Sequence, residues 1–158
     1  MKKVRIIFIL LVFLAFNANA SMISFYVIET GLSENAVRQQ HSILWENAFM
    51  DVFFDAGFIV SNAPILRMEK KPAGDILASA AISLNDMREL GIDFIMITQL
   101  DYISDSQAPV DISFYIYMIT PEEKLLLEKQ IKRNSNKVVR EEFNELKTIA
   151  RGFIPFFN

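Results

Sequence analysis

The sequence predicts an α/β fold: a single domain with a mixed sheet in the order β-α-β-α-β-β-β-α, following a cleaved signal peptide. Three observations predict it. Two helix–glycine–strand joints, at Gly57 and Gly91, look alike and indicate successive β-α-β units with right-handed crossovers. The stretch Ile92–Leu100 is apolar almost without interruption, as in a strand covered on both faces. Beyond it, two strand-like runs are separated by a turn containing Pro121, the pattern of an antiparallel meander.

The elements follow in order. Ile23–Ile28 is rich in β-branched and aromatic residues and reads as the first strand, closed by Thr30-Gly31. Ser33 suits a helix N-cap, with Glu34 in the first turn, and the helix runs to about Ala56 before Gly57. Phe58–Val60 starts a strand that continues toward Met68, with Pro64 marking an edge or bulge. Lys70–Gly74 is a turn, and Asp75 caps a second helix with Ile76, Leu77, Ala80, Ala81, Leu84 and Met87 at helical spacing up to Gly91. Val110–Ile119 and Leu125–Ile131 are the paired strands of the meander. A last helix carries the stripe Val139, Phe143, Leu146, Ala150 and Phe153.

The amino terminus sets the compartment. Lys2, Lys3 and Arg5 precede the apolar run Ile6–Phe16, and Asn17–Ser21 offers an A-x-A cleavage pattern. The run is too short to span a bilayer, which takes about 20 apolar residues. Residues 1–20 are therefore read as a signal peptide cleaved after Ala20, and residues 21–158 as one periplasmic domain without a stable membrane anchor. With Cys 0, there are no disulfides and no cysteine to lipidate, so the fold rests on its core; Phe 14 supplies ample core material.

The formal net charge is −3, although Lys2, Lys3 and Arg5 all lie in the signal segment. An acidic mature domain lacks the basic footprint that nucleic-acid binding needs. Charge is uneven, and Lys129, Lys132, Arg133, Lys137 and Arg140 follow one another with no acid between them. The plain reading is a solvated turn and helix start; the functional one is a patch for an anionic lipid, glycan or acidic partner.

At this point a resemblance emerges. The segments DAGFIV at Asp55–Val60, RELGIDFIMITQLDYI at Arg88–Ile103 and VDISFYIYMITPEEKLLLEKQI at Val110–Ile131 are similar to one group of bacterial envelope domains. The group comprises the TolB amino-terminal domain, the curli-secretion lipoprotein domain and the lipoprotein activators of penicillin-binding proteins. Gly57, Phe58, Val60, Leu90, Gly91 and Asp93 fit its outline. The resemblance is one of fold. It implies an envelope protein that works by contacting other proteins rather than by chemistry.

The residues available for chemistry agree with that implication. His41 is the single histidine and falls beside the apolar stripe of the first helix, where it reads as a partly buried helix residue. No G-x-S-x-G, H-E-x-x-H or glycine-rich phosphate loop occurs, so no catalytic residue, cofactor or metal is assigned. Asp101, Asp105 and Asp111 flank two strands; they leave open a small envelope hydrolase using strand-end carboxylates, or a Ca²⁺ site.

The first helix gives the clearest pointer to function. Val37, Leu44, Trp45, Ala48, Val52 and Ala56 gather on one side and are expected to face the sheet. Ile43, Met50, Phe53 and Phe54 fall on the other, among Glu46, Asn47 and Asp51. A helix apolar on two sides is either sandwiched or docks something. Ile43, Met50, Phe53 and Phe54 are thus the candidate contact for an envelope protein or a second copy, unless the last helix or the Phe153–Phe157 tail covers them. If the signal reading is right, the intact mass of the protein recovered from the periplasm corresponds to a chain beginning at Ser21; a full-length mass would contradict cleavage.

Overall fold

The computed structural model describes residues 20–31, 36–103, 108–119, 122–132 and 139–157, with the side chains of 36–39, 139 and 140 left aside. The expected signal segment up to Asn19, the Ser33 cap and the Thr120-Pro121 turn lie outside the described residues. The elements are β1 (Met22–Thr30), α1 (Ala36–Asp55), β2 (Ile59–Asn62), β3 (Leu66–Met68), α2 (Ile76–Ser79), α3 (Leu84–Glu89), β4 (Phe94–Asp101), β5 (Asp111–Met118), β6 (Lys124–Lys132) and α4 (Val139–Arg151). A 3₁₀ turn at Ile154–Phe157 closes the described chain.

One mixed sheet organises the domain, in the order β2-β1-β4-β5-β6, with β3 also paired to β1. β2, β3 and β4 run parallel to β1, and β5 and β6 complete an antiparallel meander. The α/β class and the mixed sheet are therefore those the sequence predicts. Asp93 of the LG-x-D turn has a structural role. Its carboxylate accepts a hydrogen bond from the Met22 N–H at 2.9 Å and pins the start of β1.

Two expected elements are divided. The strand expected from Phe58 toward Met68 is interrupted at Ala63–Ile65, around Pro64, because proline has no N–H for the ladder. The helix expected from Asp75 to Gly91 breaks after Ala80. Asp75 caps the first piece through Leu77 N–H, and Ser83 caps the second through Asp86 N–H. Ala81, at φ 54, makes the reversal between them. A second local N-cap won over continuous helical periodicity.

Each sheet face carries its own core. On one, Phe25, Val27, Met96, Leu100, Phe114 and Ile116 pack against α1, α4 and the carboxy-terminal turn. On the other, Tyr26, Ile28, Ile95, Ile97 and Tyr117 pack against α2, Ile92 and Ile119. This two-sided burial explains why β4 shows no polar alternation. The α1 side is held by rings: Phe49 lies 5.5 Å from Phe25, 5.9 Å from Trp45 and 5.7 Å from Phe114, all stacked.

Gly31 illustrates the packing density. At φ +94 it needs the left-handed region, and an added Cβ would meet the Tyr102 carbonyl oxygen at 2.1 Å. Gly57 has a similar φ but open space around it, so Gly31→Ala destabilises more than Gly57→Ala.

Both cores can be probed by substitution. Phe49→Ala should cost about 3–5 kcal/mol of unfolding free energy, read by denaturant titration; a change below about 1 kcal/mol would show that the ring stack is not formed. On the other face, burial first, with Asp75, Tyr115, Glu128 and Glu123 nearby, pushes the Tyr117 phenol up to about 12. A raised pKa keeps its stabilising contribution below pH 10, the unfolded value, and loses it as pH rises toward 12. Unfolding midpoints should fall across that window and fall less steeply in Tyr117→Phe; identical profiles would contradict it.

Candidate functional site

The first helix is apolar around most of its circumference because two layers cover it. Trp45, Ala48 and Val52 are buried toward the sheet, as the sequence predicts. So is Phe49, which neither expected stripe includes, although it lies one turn from Trp45. Ala56, expected on the sheet side, is exposed just beyond the last helical residue. The Val37 side chain lies outside the described residues.

The four candidate contact residues divide. Phe53 is fully buried, packed edge-on against Phe58 and Phe157 at 6.4 and 5.1 Å. This corrects its assignment as a contact residue. At 100° per residue it sits only about 80° from Trp45, and the carboxy-terminal turn reaches that side. Phe54 falls about 180° from Trp45 and is 73% exposed. Ile43 is 41% exposed, and Met50 is half-buried.

Met50 and Phe54, with Val60 of β2 and Phe143 of α4, line an open groove of about 420 Å³. Its polar margin is Asn47 and Asp51. Lys147 of α4 forms an ion pair with Asp51 and lies over the Phe143 ring, 5.0 Å from its centroid. The margin's acid is thus already matched by a base of the same chain. Ile59, 52% exposed, is in register with Met22 and alternates to the face of β2 opposite Val60, away from this groove.

Of the basic run, the side chains of Lys129 and Lys132 are described, and they fall on opposite faces of β6. Lys129 lies over Phe153 at 5.6 Å, on the α4 side of the sheet. Strand alternation turns Lys132 to the opposite side. Arg133 and Lys137 lie outside the described residues, as does the side chain of Arg140. The charges along β6 do occupy a sheet edge, where they discourage strand addition.

The strand-end carboxylates are partly brought together. Asp101 and Asp111 stand opposite each other in the β4–β5 register, while Asp105 lies outside the described residues. Asp101 is occupied: Lys71 donates at 2.8 Å, Gln99 at 2.6 Å, and the Thr30 hydroxyl donates as well. Burial would raise its pKa, but the hydrogen bonds from Lys71, Thr30 and Gln99 outweigh it and hold the carboxyl below its usual range. The same pairing raises Lys71 against a smaller opposing desolvation. A carboxylate held ionised is a poor general acid, so Asp101 does not suit the acid role of a glycosidase pair. Among the described residues, no group of three or more His, Cys, Asp or Glu side chains could hold a metal ion.

His41 has a partner that the sequence does not reveal. Its Nδ1 lies 3.1 Å from Oε2 of Glu142, a residue 1% exposed on α4. The two side chains join helices far apart in the chain, so local spacing carries no signal of the pair. Glu46 is likewise tied by Asn62, whose amide donates to it at 2.9 Å. These contacts fix the helix whose outer side forms the groove.

Solved structures similar to this chain have TM-scores of 0.42–0.49. The chain is similar to TolB from Acinetobacter baumannii, at 15% identity and a TM-score of 0.49, covering 85% of this chain and 28% of that one. It is similar to a PelC dodecamer from Paraburkholderia phytofirmans, at 12% identity and 0.48, covering 88% of each chain. The LpoB C-terminal domain from Salmonella enterica gives 10% identity and 0.42, covering 73% of this chain and 84% of that one. TolB is named in the group that the sequence resembles. No curated protein matches the chain. Among the described residues, no helix is long and apolar enough to cross a membrane. Residues 22–113, more than half of the chain, match a family described as "Uncharacterised protein", and the chain belongs to that family.

Proposed function

We propose that the protein is an exported, non-enzymatic domain of the periplasm that acts through protein–protein contact in the cell envelope. The observation that carries this reading is the exposure of Phe54 at the lip of the Met50–Val60–Phe143 groove. A large apolar ring left in water forgoes about 1.5–3 kcal/mol that burial would supply. Its neighbour Phe53 shows that this chain has the means to cover a ring on the same helix.

The amino-terminal layout supports export, with cleavage after Ala20. The engagement of Asp101 by Lys71, Thr30 and Gln99 supports a structural use of that carboxylate over a catalytic one. The contact surface is accordingly Met50 and Phe54, extended by Ile43, without Phe53.

Affinity-tagged protein exported in its host should recover a defined partner from the envelope fraction, whether another protein or an untagged copy of itself. Phe54→Asp should reduce that recovery at least about tenfold, the loss of one buried ring, with an unchanged thermal midpoint because the side chain is exposed. Equal recovery by a folded Phe54→Asp protein would remove the groove as the contact surface.

A further inference from the structure

We propose that the bond between Ala20 and Ser21 is cut only while β1 is out of the sheet, so that removal of the leader precedes completion of the fold. The inference rests on the reading of residues 1–20 as a signal peptide and adds the order of the two events. The step is a hydrolysis. The Ala20–Ser21 amide takes up one water and leaves a carboxylate on Ala20 and an ammonium on Ser21.

The sheet reaches the cleavage point without slack. The Ser21 carbonyl accepts a hydrogen bond from the Ile59 N–H at 3.0 Å. The next residue, Met22, is held by Asp93 through both of its backbone groups. Its N–H donates to the Asp93 carboxylate, and its carbonyl accepts from the Asp93 N–H, each at 2.9 Å. Ile23, the third residue after the bond, is already fully buried. Ala20 is exposed, so one side of the scissile bond meets solvent while the other is built into the fold.

The position of β1 makes that side costly to free. The strand lies between β4 on one side and β2 and β3 on the other, with an apolar core against each face. An edge strand frays at little cost, whereas a central strand gives up hydrogen bonds along both edges and packing on both faces. A peptidase grips an extended stretch on both sides of the bond it cuts. Its rate on a folded chain therefore follows the fraction of molecules in which that stretch is free. Here that fraction is the small population in which Ser21, Met22 and Ile23 have left Ile59, Asp93 and the core.

Purified full-length precursor in detergent micelles, cut by purified signal peptidase, tests the order. Trp45, the single tryptophan and fully buried, reports folding through its emission. Wild type is compared with two variants. One carries Gly-Ser-Gly-Ser inserted between Ser21 and Met22; the inserted serine before Met22 takes over the carbonyl bond to Ile59, so the fold is kept and the scissile bond is released. The other is Phe25→Asp, which buries a charge in the core and keeps the chain unfolded. Folded wild type should be cut at least about tenfold more slowly than either variant, the equivalent of freeing one or two hydrogen bonds.

A wild-type precursor that gains the buried Trp45 emission only after cleavage supports the same order. Equal rates on folded wild type and the folded spacer variant overturn the proposal and leave the export reading standing. If none of the chains, Phe25→Asp included, is cut after Ala20, the signal-peptide reading falls and the proposal falls with it.

Discussion

The stack of rings between α1 and the sheet is the constraint from which the rest follows. Phe49 touches Phe25 and Phe114 on the sheet, Trp45 and Phe53 on its own helix, and Phe153 after α4. One side chain thus registers the long helix against β1 and β5 and brings α4 over it. With Phe49 directed inward, helical geometry leaves Phe53 at the flank and turns Phe54 outward. The carboxy-terminal turn then covers the flank: Phe157 meets Phe53, Phe58 and Phe94 within 5.1–5.7 Å. Among the described residues, no ring or helix lies over Phe54.

The opposite face is built on a smaller scale. The short helices α2 and α3 cover the part of the sheet formed by Tyr26, Ile28, Ile95 and Ile97. At the carboxyl end of β4, apolar packing gives way to the Asp101 network with Lys71, Thr30 and Gln99. That network satisfies the polar ends of the central strands within the chain, and the ionised carboxylate it maintains serves structure better than proton transfer. The outward apolar surface therefore lies on the α1 side and the internally matched polar surface at the strand ends.

Much of the fold is legible in the sequence because its signals are local. Glycine at the two helix ends, the Asp75 cap and the proline-marked edge each act within a few residues; Gly57 and Gly91 do adopt positive φ. The break at Ala80–Ser83 is hidden because the apolar spacing runs on through it, while a second N-cap sets the backbone. The candidate site is legible in half. The outward placement of Phe54 and Met50 follows from helical period alone. The burial of Phe53 depends on Phe157, more than a hundred positions later, and the His41–Glu142 and Lys71–Asp101 pairs also join distant segments. The separation of Lys129 from Lys132 is within reach of sequence, since a strand alternates its faces, but a run of like charges reveals it only when read with that period.

The most direct measurement of the central claim is hydroxyl-radical footprinting of the folded protein, with oxidation rates read at individual phenylalanines. The account predicts fast modification of Phe54 and protection of its neighbour Phe53 to the level of Phe49, under conditions that keep the chain monomeric. Equal rates at Phe53 and Phe54 would contradict the covering of the helix flank by the carboxy-terminal turn, and with it the outward surface on which the functional reading stands.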